Sequence, residues 1–199
     1  NEILLKRFEE EKDMMEELKK STSPFILFHH RVPTSSSNNV ISNHPIYTDA
    51  ETYENRYYLI HNGGISNWKE LKDAHKAYGI KYNSSDGLRV TDSEALLHEL
   101  ALVIEGMKEP KDFNAKGGMA FIVMQVDKSN NPLAMYFGRN SSNPLVINRL
   151  EDVITLRSQC ASGEEVEPNR LYRYDYKTKE LTFEAVNFGT TLNRSFAFR

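Results

Sequence analysis

The sequence is poor in the residues that announce many familiar chemistries. Its single cysteine, Cys160, cannot close an internal disulfide. The fold must therefore stand on an apolar core, and a reducing, cytoplasmic compartment is the expected setting. No run of about 18 apolar residues is present, so no membrane-spanning helix is expected. Residues 1–7 lack the long apolar stretch of a signal peptide. Net charge is only −3, from 25 Lys and Arg against 28 Asp and Glu. No basic block invites nucleic acid and no acidic tail forms a disordered arm. The chain carries no glycine-rich phosphate cradle, and no Gly-x-Ser-x-Gly turn surrounds the serines at 35–37. His29, His30, His44 and His61 lack the cysteine or carboxylate spacing of a zinc site, and they read as structural or hydrogen-bonding residues. Neither a metal nor a cofactor is expected.

What is present suits one globular domain over residues 1–199, with 39% hydrophobic residues to build a core. Residues 1–20 read as a helix packed on the core through Leu4, Phe8, Met15 and Leu18. Pro24 ends it. Phe25-Ile26-Leu27-Phe28 is a continuous apolar run suited to a strand covered on both faces. Residues 32–44 are loop by their Ser, Asn and Pro content. Tyr57-Tyr58-Leu59-Ile60 is a second strand, which the Asn-Gly-Gly sequence should stop with a turn. Asn67 is placed to cap a helix running through Lys76, and Gly79 to terminate it. Thr91 or Asp92 opens another helix, with Ala95, Leu96, Leu100 and Val103 on one face. Beyond it the pattern becomes a series of short strands at 119–127, 133–138, 145–148, 152–156, 170–176 and 180–186. Polar segments at 128–132 and 177–179 read as hairpin connections. Helices early and strands late make an α+β domain.

Several short segments carry groups suited to a ligand. Arg31 follows the apolar run at 25–28. A guanidinium there can grip a carboxylate with two parallel hydrogen bonds, or it can form a surface ion pair. In His61-Asn62-Gly63-Gly64, glycine lets the backbone approach a ligand closely, and the Gly63 amide with the Asn62 side chain can donate to a developing oxyanion. The same sequence also suits an ordinary turn. Asp92 can cap its helix or bind an ammonium group. Cys160 has no base around it and reads as an inert thiol.

Taken in order, these segments resemble the class II glutamine amidotransferase domain of the N-terminal-nucleophile hydrolases. The similarity runs from about Phe25 to Val186. It is carried by His30-Arg31-Val32-Pro33-Thr34, Asn43-His44-Pro45, Tyr58-Leu59-Ile60-His61-Asn62-Gly63-Gly64-Ile65-Ser66-Asn67 and Thr91-Asp92-Ser93-Glu94. Gly117-Gly118-Met119-Ala120-Phe121 and Arg139-Asn140-Ser141-Ser142-Asn143-Pro144-Leu145 complete it. The resemblance implies a four-layer αββα sandwich of two mainly antiparallel sheets. It implies hydrolysis of glutamine to glutamate and ammonia. Arg31 would bind the substrate α-carboxylate, with Thr34 beside it, and Asp92 the α-amino group. Asn62 and Gly63 would form the oxyanion hole. The family's nucleophile is a cysteine at the mature N-terminus, with its own α-amine, of pKa about 8, as the base. That opening strand is absent from this sequence, so the nucleophile is expected on a segment preceding Asn1. The expected partners are glutamine and an ammonia-acceptor domain or subunit, with no nucleic acid and no membrane. The competing readings are an inactive amidotransferase-like fold kept for binding or assembly, and another amide hydrolase of the same superfamily.

Overall fold

The computed structural model describes residues 3–6, 8, 10–29, 43–48, 51–82, 91–151, 153–158 and 162–189. The chain order is α1 (Glu11–Lys20), β1 (Ile46–Tyr47), β2 (Arg56–Ile65), α2 (Trp68–His75) and α3 (Asp92–Ile104). It continues with β3 (Gly117–Val126), β4 (Pro132–Arg139), β5 (Val146–Leu150), β6 (Val153–Arg157), β7 (Glu164–Glu165), β8 (Arg170–Asp175) and β9 (Leu181–Ala185). The strands form two antiparallel sheets, one of order β1-β2-β3-β4-β8-β9 and one of order β6-β5-β7. The α+β class is thus the one observed.

Side chains on the large sheet alternate between two cores, as the two-residue period of a strand requires. Tyr57, Leu59, Phe121, Val123, Met119 and Leu171 pack with Leu96, Leu97 and Leu100 of α3. Ile122, Ala120 and Phe137, on the other face, pack with Leu145, Ile147 and Val166 around the small sheet. Among the described residues, helices α2 and α3, the large sheet and the small sheet therefore stack as three of the four layers expected. Helix α3 is buried along Ser93–Val103 rather than along one stripe. It lies against β1, β2 and α2, so nearly every side chain meets protein. Each fully buried leucine there contributes about 1.5–3 kcal/mol.

The late strands fall close to their expected positions. Their hairpins turn at Asn130 (φ 64°) and Lys179 (φ 64°). The short β1 and β7 pair over only two residues each and had no readable alternation.

Other elements differ from expectation. The first helix begins at Glu11 and buries no residue. Glu9-Glu10-Glu11-Lys12-Asp13 interrupts the apolar stripe between Phe8 and Met14, and acidic residues favour a helix start there. Residues 25–28 belong to no ladder. Phe25 lies against Tyr176 with ring centroids 4.3 Å apart and tilted by 47°, and Leu27 packs on the small-sheet core, while Ile26 and Phe28 are about half exposed at 51% and 54%. No helix among the described residues is long and apolar enough to cross a membrane.

Candidate functional site

The largest departure from the sequence expectation lies at the site itself. The Asn-Gly-Gly sequence does not turn. Strand β2 runs straight through it to Ile65, with Gly63 opposite Met119, Gly64 opposite Gly118 and Ile65 opposite Gly117. Two glycine pairs face each other across the strands, and the backbones close onto one another. A Cβ on Gly63 would fall on the Gly118 carbonyl oxygen, and a Cβ on Gly117 on the Gly64 carbonyl oxygen. Both residues also hold positive φ, 143° and 139°, which L side chains rarely adopt. The glycines serve close approach rather than reversal.

That crossing decides where the Gly63 amide points. Met119 directs both backbone groups toward β4: its N–H donates to Asn140 Oδ1 at 3.2 Å, and its carbonyl accepts from Asn140 N at 3.0 Å. Residues opposite each other in an antiparallel pair share one orientation, bonded inward or pointing outward. Gly63, opposite Met119, therefore aims its N–H away from β3 toward the outer edge of β2. Ile65, two residues on, behaves the same way: its N–H leaves the sheet and donates to Asp92 Oδ2 at 2.7 Å. Strand β1 covers that edge only at Tyr58 and Leu59. Among the described residues nothing accepts from the Gly63 N–H, and the half-buried Asn62 amide has no hydrogen-bond partner.

Asp92 reaches this edge from the first turn of α3. The cap of that helix is Thr91, whose hydroxyl accepts from Glu94 N at 3.3 Å. The Asp92 carboxylate is thereby released from capping and spans to β2, leaving one oxygen for a cation. Asn67, expected to cap α2, does not. Its amide bridges to Asn114 O and Lys116 N, both at 2.8 Å. From the other side, Asn140 donates to Gly117 O at 2.6 Å. The two asparagines clamp the start of β3 and so fix the glycine crossing. Sequence reasoning named Asn140 within a motif but gave it no role of its own. Its signal was its position directly after a strand ending in Arg139, a buried guanidinium that donates to Asn143 O at 3.3 Å and pairs with Glu165 at 2.7 Å.

On the α3 face of the crossing lies His61, 3% exposed. Burial holds its pKa below the usual 6.5, against the pull of nearby Asp92. The neutral ring has one donor and one acceptor. Nε2 faces Gly118 O at 3.3 Å and Nδ1 faces Ser93 Oγ at 3.1 Å. A carbonyl can only accept, so Nε2 carries the proton and the Ser93 hydroxyl donates to Nδ1.

The structure thus brings Asn62, Gly63 and Asp92 to one end of β2. Arg31, Thr34 and Cys160 lie outside the described residues. No group of three or more His, Cys, Asp or Glu suited to a metal occurs among the described residues. Gly63 and Ile65 amides on one edge stand roughly 7 Å apart. An outward N–H at one point and a carboxylate at the other can hold a small molecule carrying an ammonium group and an electron-rich oxygen.

No protein-family model and no curated protein matches the chain. Solved structures do. One, the allosteric regulatory enzyme of purine biosynthesis, matches over 84% of this chain and 36% of its own, with a TM-score of 0.54 and 19% identity. Glutamine phosphoribosylpyrophosphate amidotransferase from B. subtilis, complexed with ADP and GMP, matches over 80% and 34%, with a TM-score of 0.49 and 19% identity. A class-II glutamine aminotransferase domain protein from Silicibacter pomeroyi matches over 65% and 67%, with a TM-score of 0.40 and 16% identity. The chain spans about a third of the length of the first two. At such identities the likeness is one of fold. This chain shares its fold with the matched part of the first of these structures, the allosteric regulatory enzyme of purine biosynthesis.

Proposed function

We propose that the chain is a glutaminase domain that hydrolyses glutamine to glutamate and ammonia. The observation that carries this reading is the outward Gly63 N–H beside the free Asn62 amide, two residues from the Ile65 amide that fixes Asp92. Asp92 binds the substrate α-ammonium through its remaining oxygen. Arg31 grips the α-carboxylate with two parallel hydrogen bonds, with Thr34 beside it. The side-chain amide carbonyl then lies against Asn62 and Gly63. The nucleophile is an N-terminal cysteine on a strand preceding Asn1. Its thiol proton passes to its own α-amine as sulfur bonds to the carbonyl carbon. The oxygen gains charge and takes hydrogen bonds from Asn62 Nδ2 and Gly63 N. Collapse expels ammonia, carrying the relayed proton, and leaves a thioester. Water then attacks the thioester, releasing glutamate and restoring the thiol. The ammonia is used by an acceptor domain or subunit.

The test is ammonia release from glutamine by the intact native protein, with mass mapping of its mature N-terminus. A mature cysteine and turnover support the reading. Glutamine binding without turnover would instead favour a binding or assembly role.

A further inference from the structure

The proposed oxyanion donors lie on the edge and inter-sheet side of β2, yet a polar strut stands behind them on the opposite face. His61, Ser93 and the Gly118 carbonyl form a line from the first turn of α3 to the glycine crossing. The Gly118 oxygen occupies the space where a Gly63 Cβ would stand, and His61 Nε2 lies 2.9 Å from that same point. One carbonyl is thus pressed between the imidazole and the Gly63 α-carbon. Ser93 is 6% exposed and adjoins Asp92, so the strut ties the ammonium end of the site to its oxyanion end. We infer that His61, held as the Nε2–H tautomer by the Gly118 carbonyl and steadied by the Ser93 hydroxyl, is a positioning residue that sets the direction of the Gly63 N–H.

The argument follows from what the ring does in place. Nε2–H donates to Gly118 O and pins that peptide. The pinned oxygen is the floor on which Gly63 rests, and Gly63 has no side chain with which to hold itself. An apolar side chain of similar size fills the space and leaves the carbonyl without its side-chain donor. The Gly118 peptide can then rotate, and the Gly63 amide shifts with it. His61→Gln keeps an N–H donor near the Nε2 position. Ser93→Ala removes the hydroxyl that donates to Nδ1 and steadies the ring against Gly118 O, with little change in volume.

The role as a determinant of turnover rests on the glutaminase reading, whereas the structural claim does not, and the experiment separates them. Nitrogen-15 NMR of the protein reads the tautomer of His61 and the amide resonance of Gly63. The expected result is a protonated Nε2, a clear shift of the Gly63 amide in His61→Leu and Ser93→Ala, and return toward the wild-type position in His61→Gln. In glutamine hydrolysis by the nucleophile-bearing protein, His61→Leu lowers kcat by about 10²-fold, the cost of misplacing a reacting group by about 1 Å. KM for glutamine stays unchanged, and His61→Gln recovers much of the rate. An unmoved Gly63 amide in Ser93→Ala, or a His61 carrying its proton on Nδ1, overturns the inference; so does a His61→Gln protein as impaired as His61→Leu. If His61→Leu does not fold, Ser93→Ala and His61→Gln decide by the same amide resonance. Absence of wild-type turnover sinks the glutaminase reading and leaves the NMR result to judge the strut.

Discussion

Replacing Gly63 with alanine tests the close crossing of β2 and β3 without reference to any activity. The new Cβ would land on the Gly118 carbonyl oxygen, a backbone atom held by the β2–β3 ladder and by His61. No side-chain rotation relieves that contact, so the strands must separate locally. Alanine must also accept φ near +143°. A sparsely populated backbone conformation costs of order 1–3 kcal/mol, and forcing a methyl into a packed site about 1–3 kcal/mol more. The expected loss is about 2–6 kcal/mol, a large share of the roughly 5–15 kcal/mol that holds a domain. For a chain of 199 residues, that corresponds to a fall in Tm of about 4–24 °C. Gly79→Ala is the control. Its φ is +70°, with no atom within 4 Å of the added Cβ, so it carries only the left-handed backbone cost of about 1–2 kcal/mol. Both substitutions reduce unfolded-chain entropy equally, so that contribution cancels in the comparison. Thermal or urea unfolding followed by circular dichroism measures both. If Gly63→Ala proves no more destabilising than Gly79→Ala, the two strands do not approach as described, and the outward direction assigned to the Gly63 amide loses its basis.

Three further outcomes are expected. Asn62→Ala should lower glutamine turnover by about 10²–10³-fold with a smaller effect on KM, because its donor matters most as the oxygen gains charge; unchanged kcat in steady-state assays removes Asn62 from the oxyanion role. Arg31→Lys should cost about 1.5–3 kcal/mol of glutamine affinity by calorimetry, since a point charge replaces a two-pronged donor, and Asp92→Ala should likewise weaken binding more than it slows the bound complex; equal affinities in variants and wild type refute both roles. His61 has its folded pKa lowered below 6.5 by burial, so the unfolded chain binds the extra proton first. Its contribution to stability is complete above pH 6.5 and declines as pH falls below that value toward the folded pKa, so urea unfolding of His61→Leu should lose stability less steeply than wild type across that window; parallel curves would show that His61 is not buried neutral.

The sequence alone determined the periodic elements. Strands β3, β4, β8 and β9 are short runs rich enough in apolar and aromatic residues, and ending in clear enough turns, for local pattern to set their place. Thr91-Asp92-Ser93-Glu94 announced a helix start because capping is a local matter of one side chain and nearby amides. The ordered motifs also pointed to the fold, and Asn62, Gly63 and Asp92 were legible as ligand groups by residue type. Tertiary structure decided how those groups are used. A pair of glycines reads as a turn when only one strand is in view. It becomes a straight crossing only when Gly117 and Gly118 arrive opposite, from more than fifty residues away. Asp92 and Thr91 were interchangeable as caps until the Ile65 amide drew the carboxylate across to β2. The apolar run at 25–28 carried strand propensity, but propensity supplies no partner strand, and Ile26 and Phe28 remain exposed. Asn67, Asn140, His61 and Ser93 gained their roles from contacts across sequence separations that no local pattern records. Local chemistry chose the residues, whereas the direction of the Gly63 amide followed from pairing between distant strands.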